Sequence, residues 1–132
     1  MTRQFLCFGV VGSIGFLVDA GVLIVASDYF GLSLFLSRLM SFSFAVTVTW
    51  YLNRRLTFAN RSNRDAINEW VHYSALNGIG ALINLSIFMW LVIQYEYLHE
   101  HPIVPLAIAT AVSMTFNFLV SHFVIFQRSG DQ

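Results

Sequence analysis

Two ionisable residues, Asp19 and Arg38, lie inside stretches of sequence that are otherwise almost free of charge. Two further arginines, Arg54 and Arg55, follow the end of the second of these stretches. An arginine in apolar surroundings is suited to a phosphodiester, because its planar guanidinium neutralises the charge and donates to two oxygens at once. These residue types predict a binding site for an anion that carries phosphate.

The composition places these charges in a membrane. Of 132 residues, 57% are hydrophobic and 11% are charged, which leaves more apolar surface than a soluble domain can bury. A bilayer core of about 30 Å needs about 20 helical residues to cross it. Residues 5–26, 32–51, 70–94 and 102–126 meet that requirement. We therefore expect an all-α membrane protein, a single domain over residues 1–132 with four transmembrane helices.

The arginines predict how these helices are oriented. Apart from Arg38, they all fall on one side of the predicted spans, whereas the other side carries acids and no arginine. Because cytoplasmic segments carry the excess of arginine, we expect the N and C termini and the middle loop in the cytoplasm. The arginines of that side are Arg3, Arg54, Arg55, Arg61, Arg64 and Arg128, and the acids opposite are Asp28, Glu96 and Glu100.

The sequence also repeats itself. Residues 12–19 align with 77–84, and residues 49–58 align with 117–126, so that a glycine and several polar positions coincide. Each copy holds two predicted spans, so the copies share one orientation and are related by an axis along the membrane normal. The predicted division is repeat 1 (3–58), the cytoplasmic loop (59–69) and repeat 2 (70–128).

Asp19 and Arg38 are expected at matching depth, about 10 Å and about 9 Å from the outer ends of their helices at 1.5 Å per residue. A charge at that depth is costly unless it is paired or hydrated, and intramembrane ionisable residues usually mark functional sites. Two interpretations stay open. In the first, the ion pair only stabilises the first hairpin. In the second, Arg38 binds the phosphate of a transported molecule, and Asp19 orients Arg38 or pairs with it when no phosphate is bound. Repeat 2 has Asn84 and Leu106 at the aligned positions.

Arg54 and Arg55 are expected at the cytoplasmic end of the same helix, where arginines also anchor a membrane protein to anionic lipid. Adjacent helical residues point about 100° apart, so we expect only one of the two to face the bundle. We predict Arg54, because its counterpart in repeat 2 is His122, whereas Arg55 aligns with Phe123.

The glycine-rich opening, residues 9–19, and the run Asn-Arg-Arg-Leu-Thr-Phe at 53–58 resemble the GtrA family of small bacterial and archaeal membrane proteins. The resemblance covers essentially the whole chain, and the second run is its most specific part. It implies flipping of a polyprenyl-phosphate-linked monosaccharide across the cytoplasmic (inner) membrane of a prokaryote, for cell-surface polysaccharide or O-antigen glycosylation. Two positions depart from the family pattern: Leu56 replaces a common aromatic residue and His122 the usual arginine.

On that reading, the substrate phosphate binds Arg38, Arg54 and Arg55, with Asp19 and His122 as charge partners. The amides of Asn53, Asn84 and Asn117 are candidates for hydrogen bonds to the sugar. Four helices enclose little space, so we expect a homo-oligomer or a groove open to membrane lipid. The sequence has no metal-ligand cluster and no nucleophile beside a base. We therefore expect no enzyme activity, metal, cofactor or nucleic-acid binding.

Two other functions stay open. A small proton-coupled multidrug exporter has similar size and span count, but it needs an unpaired acid facing a cationic drug, and an arginine at the depth of Asp19 repels cations. A non-transporting membrane subunit that recruits a glycosyltransferase would bind it through Arg61 and Arg64 in the cytoplasmic loop.

Overall fold

The computed structural model describes residues 1–59, 65–101 and 103–126, and these residues form helices and turns without strands. The α-helices are α1 (Thr2–Ile24), α2 (Leu34–Leu52), α3 (Ala66–Gln94), α4 (Glu96–Glu100) and α5 (Ile103–Val120). Wider π-helical turns extend three of them: Val25–Tyr29 after α1, Asn53–Thr57 after α2 and Ser121–Ile125 after α5.

Three helical segments of the described chain are long and apolar enough to cross a membrane: Thr2–Tyr29, Ala66–Gln94 and Ile103–Ile125. The helix predicted over residues 32–51 is present as α2. Arg38 and a series of serines and threonines lower the hydropathy of α2 below that of these three segments. The protein is thus an all-helical, multi-pass membrane protein. That α2 also spans the bilayer stays a prediction.

The helices pair into two antiparallel hairpins, α1 with α2 and α3 with α5. A Cβ atom added to Gly15 would collide with the side chain of Thr49, and one added to Gly80 would collide with the amide of Asn117. Each hairpin therefore needs a glycine where its helices approach most closely, as is common in membrane helices. The two contacts join positions that the predicted repeats align.

The hairpins meet at the end of the bundle that carries Arg3, Arg54 and Arg55, which we call the basic end. Phe58 and Phe126, which follow the π-helical turns of α2 and α5, stack with ring centroids 4.7 Å apart and 11° between their planes. Other aromatic side chains pack around this pair. The aromatic cluster consists of Phe8, Phe58, Tyr73, Phe118 and Phe126.

One helix boundary and one additional helix differ from the sequence-based expectation. The third span was predicted to begin at residue 70, but α3 begins at Ala66 with Asp65 at its N-terminal cap position, which places Glu69 on the helix. The connection between α3 and α5 contains the short helix α4, which carries no periodic apolar pattern that would have predicted it. Four residues used in the sequence analysis lie outside the described ranges: Arg61, Arg64, Pro102 and Arg128.

Candidate functional site

Asp19 on α1 and Arg38 on α2 form an ion pair inside the first hairpin. Arg38 Nη1 donates a hydrogen bond to Asp19 Oδ2 at 3.1 Å. The Arg38 side chain nevertheless keeps 54% of its surface exposed, and the Asp19 side chain keeps 24%. Asp19 Oδ1 is buried and has no hydrogen-bond partner among the described residues. The carboxylate therefore holds the guanidinium without sealing it, and Arg38 can still contact a second anion.

A tight connection between α1 and α2 brings this pair together. Gly31 adopts a φ of 63°, in the left-handed region that glycine tolerates best. Ser33 then caps α2, since its Oγ accepts a hydrogen bond from the amide of Leu36 at 3.3 Å. Arg38 consequently lies in the second turn of α2, across from Asp19 near the C-terminal end of α1.

Glu69, which the sequence analysis did not single out, forms the centre of a second charged group at the basic end. Its side chain is fully buried. Its Oε1 accepts a hydrogen bond from Trp50 Nε1 at 3.0 Å and lies 3.4 Å from Arg54 Nη1. Because Glu69 belongs to α3 while Trp50 and Arg54 belong to α2 and its π-helical turn, this ion pair links the two hairpins.

A pocket of about 480 Å³ opens beside the Arg54–Glu69 pair. The guanidinium of Arg54 lies 5.6 Å from the ring centroid of Trp50, and that of Arg55 lies 5.5 Å from the ring centroid of Tyr51. Arg54 is the more buried of the two arginines. The pocket thus combines two positive charges with aromatic surface. Its lining residues are Trp50, Tyr51, Arg54, Arg55, Ala59 and Ala66.

Asn53 lies behind this pocket in the interface between the hairpins. It is buried, and both ends of its amide are used: Nδ2 donates to the Tyr73 hydroxyl at 2.9 Å, and Oδ1 accepts from Thr57 Oγ1 at 2.8 Å. Because Asn53 is buried, a sugar could reach it only if the packing between the hairpins opened.

Asn84 and Asn117 lie in the second hairpin, between α3 and α5. Asn84 Nδ2 is 3.2 Å from Ser113 Oγ and 3.4 Å from Thr110 Oγ1. Asn117 packs against Gly80, and its buried Oδ1 has no hydrogen-bond partner within the described chain. Neither asparagine is among the residues that line the pocket.

His122 lies within the aromatic packing at the basic end. Its side chain is 4% exposed, and its ring centroid lies 6.0 Å from that of Phe58, 5.7 Å from that of Phe118 and 4.6 Å from that of Phe123. It is not among the residues that line the pocket. His122, which aligns with Arg54, is thus more buried in the second hairpin than Arg54 is in the first.

The structure brings the charged candidates into two groups: Asp19 on α1 pairs with Arg38 near the start of α2, and Arg54 and Arg55 lie together in the π-helical turn after α2. Glu69 was not predicted as a site residue, because it fell at the end of the predicted loop 59–69, just before the third predicted span. Asp65, a favoured residue type at a helix start, was the signal that placed Glu69 one turn inside α3. The described residues contain no group of three or more His, Cys, Asp or Glu side chains that could hold a metal ion.

These features define a multi-pass helical membrane protein with charged residues paired across its helices. The family model described as the GtrA/DPMS transmembrane domain matches residues 7–126. The chain belongs to this family, which confirms the resemblance drawn from residues 9–19 and 53–58. A comparison with curated proteins finds no match.

Proposed function

We propose that the protein flips a polyprenyl-phosphate-linked monosaccharide across the cytoplasmic membrane of a prokaryote, for glycosylation of cell-surface polysaccharide or O-antigen. Membership of the GtrA/DPMS family supports this role. The observation that carries the proposal is the state of Arg38, which is paired with Asp19 yet 54% exposed. A guanidinium has five N–H donors in a fixed fork, so it can keep a carboxylate on one edge and bind a phosphate on another.

In the proposed arrangement α2 also crosses the bilayer, which gives four spans in all, and the basic end lies in the cytoplasm. Arg3, Arg54 and Arg55 at this end support that orientation, because cytoplasmic segments collect arginine. Arg38 and Arg54 are then two phosphate-binding stations on one helix, separated by about 24 Å at 1.5 Å per residue. The equivalent glycine contacts of the two hairpins support the two-repeat arrangement. With four spans and the basic end inside, both termini lie in the cytoplasm.

The lipid tail would remain in the bilayer while the phosphate and sugar move along the polar side of α2. Large apolar side chains are exposed along the described helices, including Phe16, Phe35 and Leu82, and such surfaces suit contact with acyl chains or with further copies of the chain. We therefore propose a groove open to lipid or a homo-oligomer. Asn53, Asn84 and Asn117 remain candidates for contacts with the sugar.

Reconstitution into liposomes tests the proposal. A short-chain, fluorescent polyprenyl-phosphate sugar is placed in one leaflet, and its arrival in the other leaflet is timed. The double substitution Asp19→Asn with Arg38→Gln removes both charges together and leaves polar side chains at both positions, so no unpaired charge is left in the first hairpin and it should fold. We expect its flipping rate to fall about tenfold or more, which corresponds to about 1.4 kcal/mol of barrier. The exposed Arg3→Gln is the matched control and should retain the parental rate.

Three results would count against the proposal. A folded double variant that flips lipid at the parental rate would make the Asp19–Arg38 pair purely architectural. Parental protein that leaves the lipid in its original leaflet, yet retains a glycosyltransferase on an affinity column, would favour a recruiting subunit. Proton-coupled export of a cationic dye that disappears in Asp19→Asn would favour a multidrug exporter.

A further inference from the structure

The Arg54–Glu69 pair is unequal in its burial and in its bonding. Glu69 is fully buried, whereas 27% of the Arg54 side chain is exposed. Arg54 Nη1 is buried 3.4 Å from Glu69 Oε1, but it makes no hydrogen bond within the described chain. The same carboxylate oxygen accepts a bond from Trp50 Nε1 at 3.0 Å. The arginine is thus held by charge attraction and keeps an unsatisfied donor beside an open pocket.

Such a contact is weaker than the pairing that a phosphate can offer. Arginine binds carboxylate or phosphate most strongly when two parallel N–H groups meet two oxygens, whereas Arg54 Nη1 lies 3.4 Å from Glu69 Oε1 without a hydrogen bond. A phosphate in the pocket would find Arg54 and Arg55 in the same lining, with aromatic surface beside each of them. Once the guanidinium turns from Glu69 towards the pocket, the phosphate would also satisfy Nη1, which is buried and without a hydrogen bond in the resting arrangement.

We propose that Glu69 is the resting counter-ion of Arg54, and that a phosphate-bearing headgroup in the pocket competes with Glu69 for the guanidinium. This inference rests on the proposed function and names the residue that sets phosphate affinity at the basic end. Release of Arg54 does not strip Glu69 of all its partners, because Trp50 on α2 still donates to it.

The competition gives the pocket a property that a carrier needs. A transport site must bind its cargo firmly enough to collect it and weakly enough to pass it on. A built-in carboxylate lowers phosphate affinity and takes the arginine back when the phosphate leaves. The same design recurs at the other end of α2, where Asp19 pairs with a half-exposed Arg38. Each arginine station on α2 is thus matched by an acid from a neighbouring helix.

Equilibrium binding to the detergent-solubilised full chain tests this inference. Glu69→Gln removes the charge but keeps the side-chain size and an oxygen that can accept the Trp50 bond. The probes are farnesyl phosphate and, separately, inorganic phosphate. We expect Glu69→Gln to bind farnesyl phosphate about fivefold more tightly, which is the scale of one partly exposed ion pair. Tightening of both probes would indicate recognition of phosphate alone, and tightening of farnesyl phosphate only would indicate recognition of the lipid headgroup.

Asp65→Asn is the matched control, because Asp65 is exposed, lies one turn before Glu69 and has no side-chain cap hydrogen bond. It removes the same charge from the same helix end and should change affinity less than about 1.5-fold, as expected for a solvated surface charge. Equal or weaker binding in Glu69→Gln would overturn the inference. So would an equal gain in both variants, which would reflect overall charge.

Glu69→Asp guards against a folding defect in the first variant. It keeps the charge but shortens the side chain, so it should tighten binding by a smaller factor, about twofold on the same ion-pair scale. Failure of both Glu69 variants to fold would also overturn the inference, because a carboxylate that the fold cannot spare is not a competitor. Binding is measured without transport, so absence of lipid flipping with the affinity gain intact would contradict only the proposed function.

Discussion

The two hairpins share their packing and differ in their charges. Each closes on a buried glycine, Gly15 or Gly80, and each ends in a π-helical turn followed by a phenylalanine of the stacked pair. The first hairpin then holds Asp19 against Arg38, whereas the second places the aligned Asn84 against hydroxyl groups. Close helix contact leaves no room for a side chain in either half, while the polar positions are free to differ. A bundle built in this way offers one charged path along α2.

The largest loss of stability is expected from breaking the Arg54–Glu69 ion pair, which links the first hairpin to the second. Arg54→Ala would remove one charged partner of the buried Glu69 carboxylate, and loss of a partner from a buried ion pair destabilises a protein. Because Arg54 is partly exposed and Trp50 still donates to Glu69, we expect a loss of about 2–3 kcal/mol in the free energy of unfolding. Thermal or denaturant unfolding in detergent measures it.

The exposed neighbour provides the control for that change. Arg55→Ala should alter stability by less than about 0.5 kcal/mol, as surface substitutions usually do. Adding Glu69→Gln to Arg54→Ala should restore most of the loss, because the buried charge is then gone. Equal stability of Arg54→Ala and the parental protein would show that the hairpins are held by the aromatic cluster alone.

A smaller loss of stability is expected when either of the two equivalent glycines, Gly15 or Gly80, is replaced by alanine. Gly15→Ala would drive its Cβ into the Thr49 methyl group, which a β-branched side chain cannot easily turn away. Overpacking costs about 1–3 kcal/mol, against a gain of up to about 1 kcal/mol from replacing glycine in a helix. We therefore expect a net loss of stability of about 1 kcal/mol in unfolding measurements, with Gly80→Ala losing less because the longer Asn117 side chain can rotate.

Thr49→Ser sharpens this comparison, since it removes the obstructing methyl and keeps the hydroxyl that donates to the Val46 carbonyl at 3.1 Å. Combined with Gly15→Ala, it should recover the parental stability. A larger loss from Gly80→Ala than from Gly15→Ala would reverse the expected order and show that the second hairpin is the tighter one.

The sequence predicted the features that follow from local physics. Apolar runs of about 20 residues form helices in lipid, because every backbone group must be satisfied within the segment, and α1, α3 and α5 lie where those runs are. The pairing of Asp19 with Arg38 followed from depth, since residues at the same level of neighbouring helices meet. The alignment of residues 12–19 with 77–84 placed Gly15 and Gly80 at equivalent positions, and both are points of close helix contact.

The remaining features depend on tertiary packing. Glu69 is buried only because the first turn of α3 packs against α2, and a single acid near a predicted loop gives no periodic signal of that contact. His122 was aligned with Arg54, but the second hairpin directs it into the aromatic packing. Whether α2 spans the bilayer does not follow from its composition, because the polar residues that the proposed function requires along α2 also make it the least apolar of the long helices.

The smallest effect is expected from the polar contact of the second hairpin. Asn84→Ala removes the hydrogen bonds to Ser113 and Thr110, and such bonds between membrane helices contribute about 0.6 kcal/mol on average. We expect a loss of that size in unfolding measurements, below the loss from Gly80→Ala. A loss greater than that of Gly80→Ala would contradict the comparison, because the second hairpin would then depend on its polar residues more than on close glycine packing. Timing of lipid flipping in the same variant separates a sugar contact, which slows transport, from a packing contact, which does not.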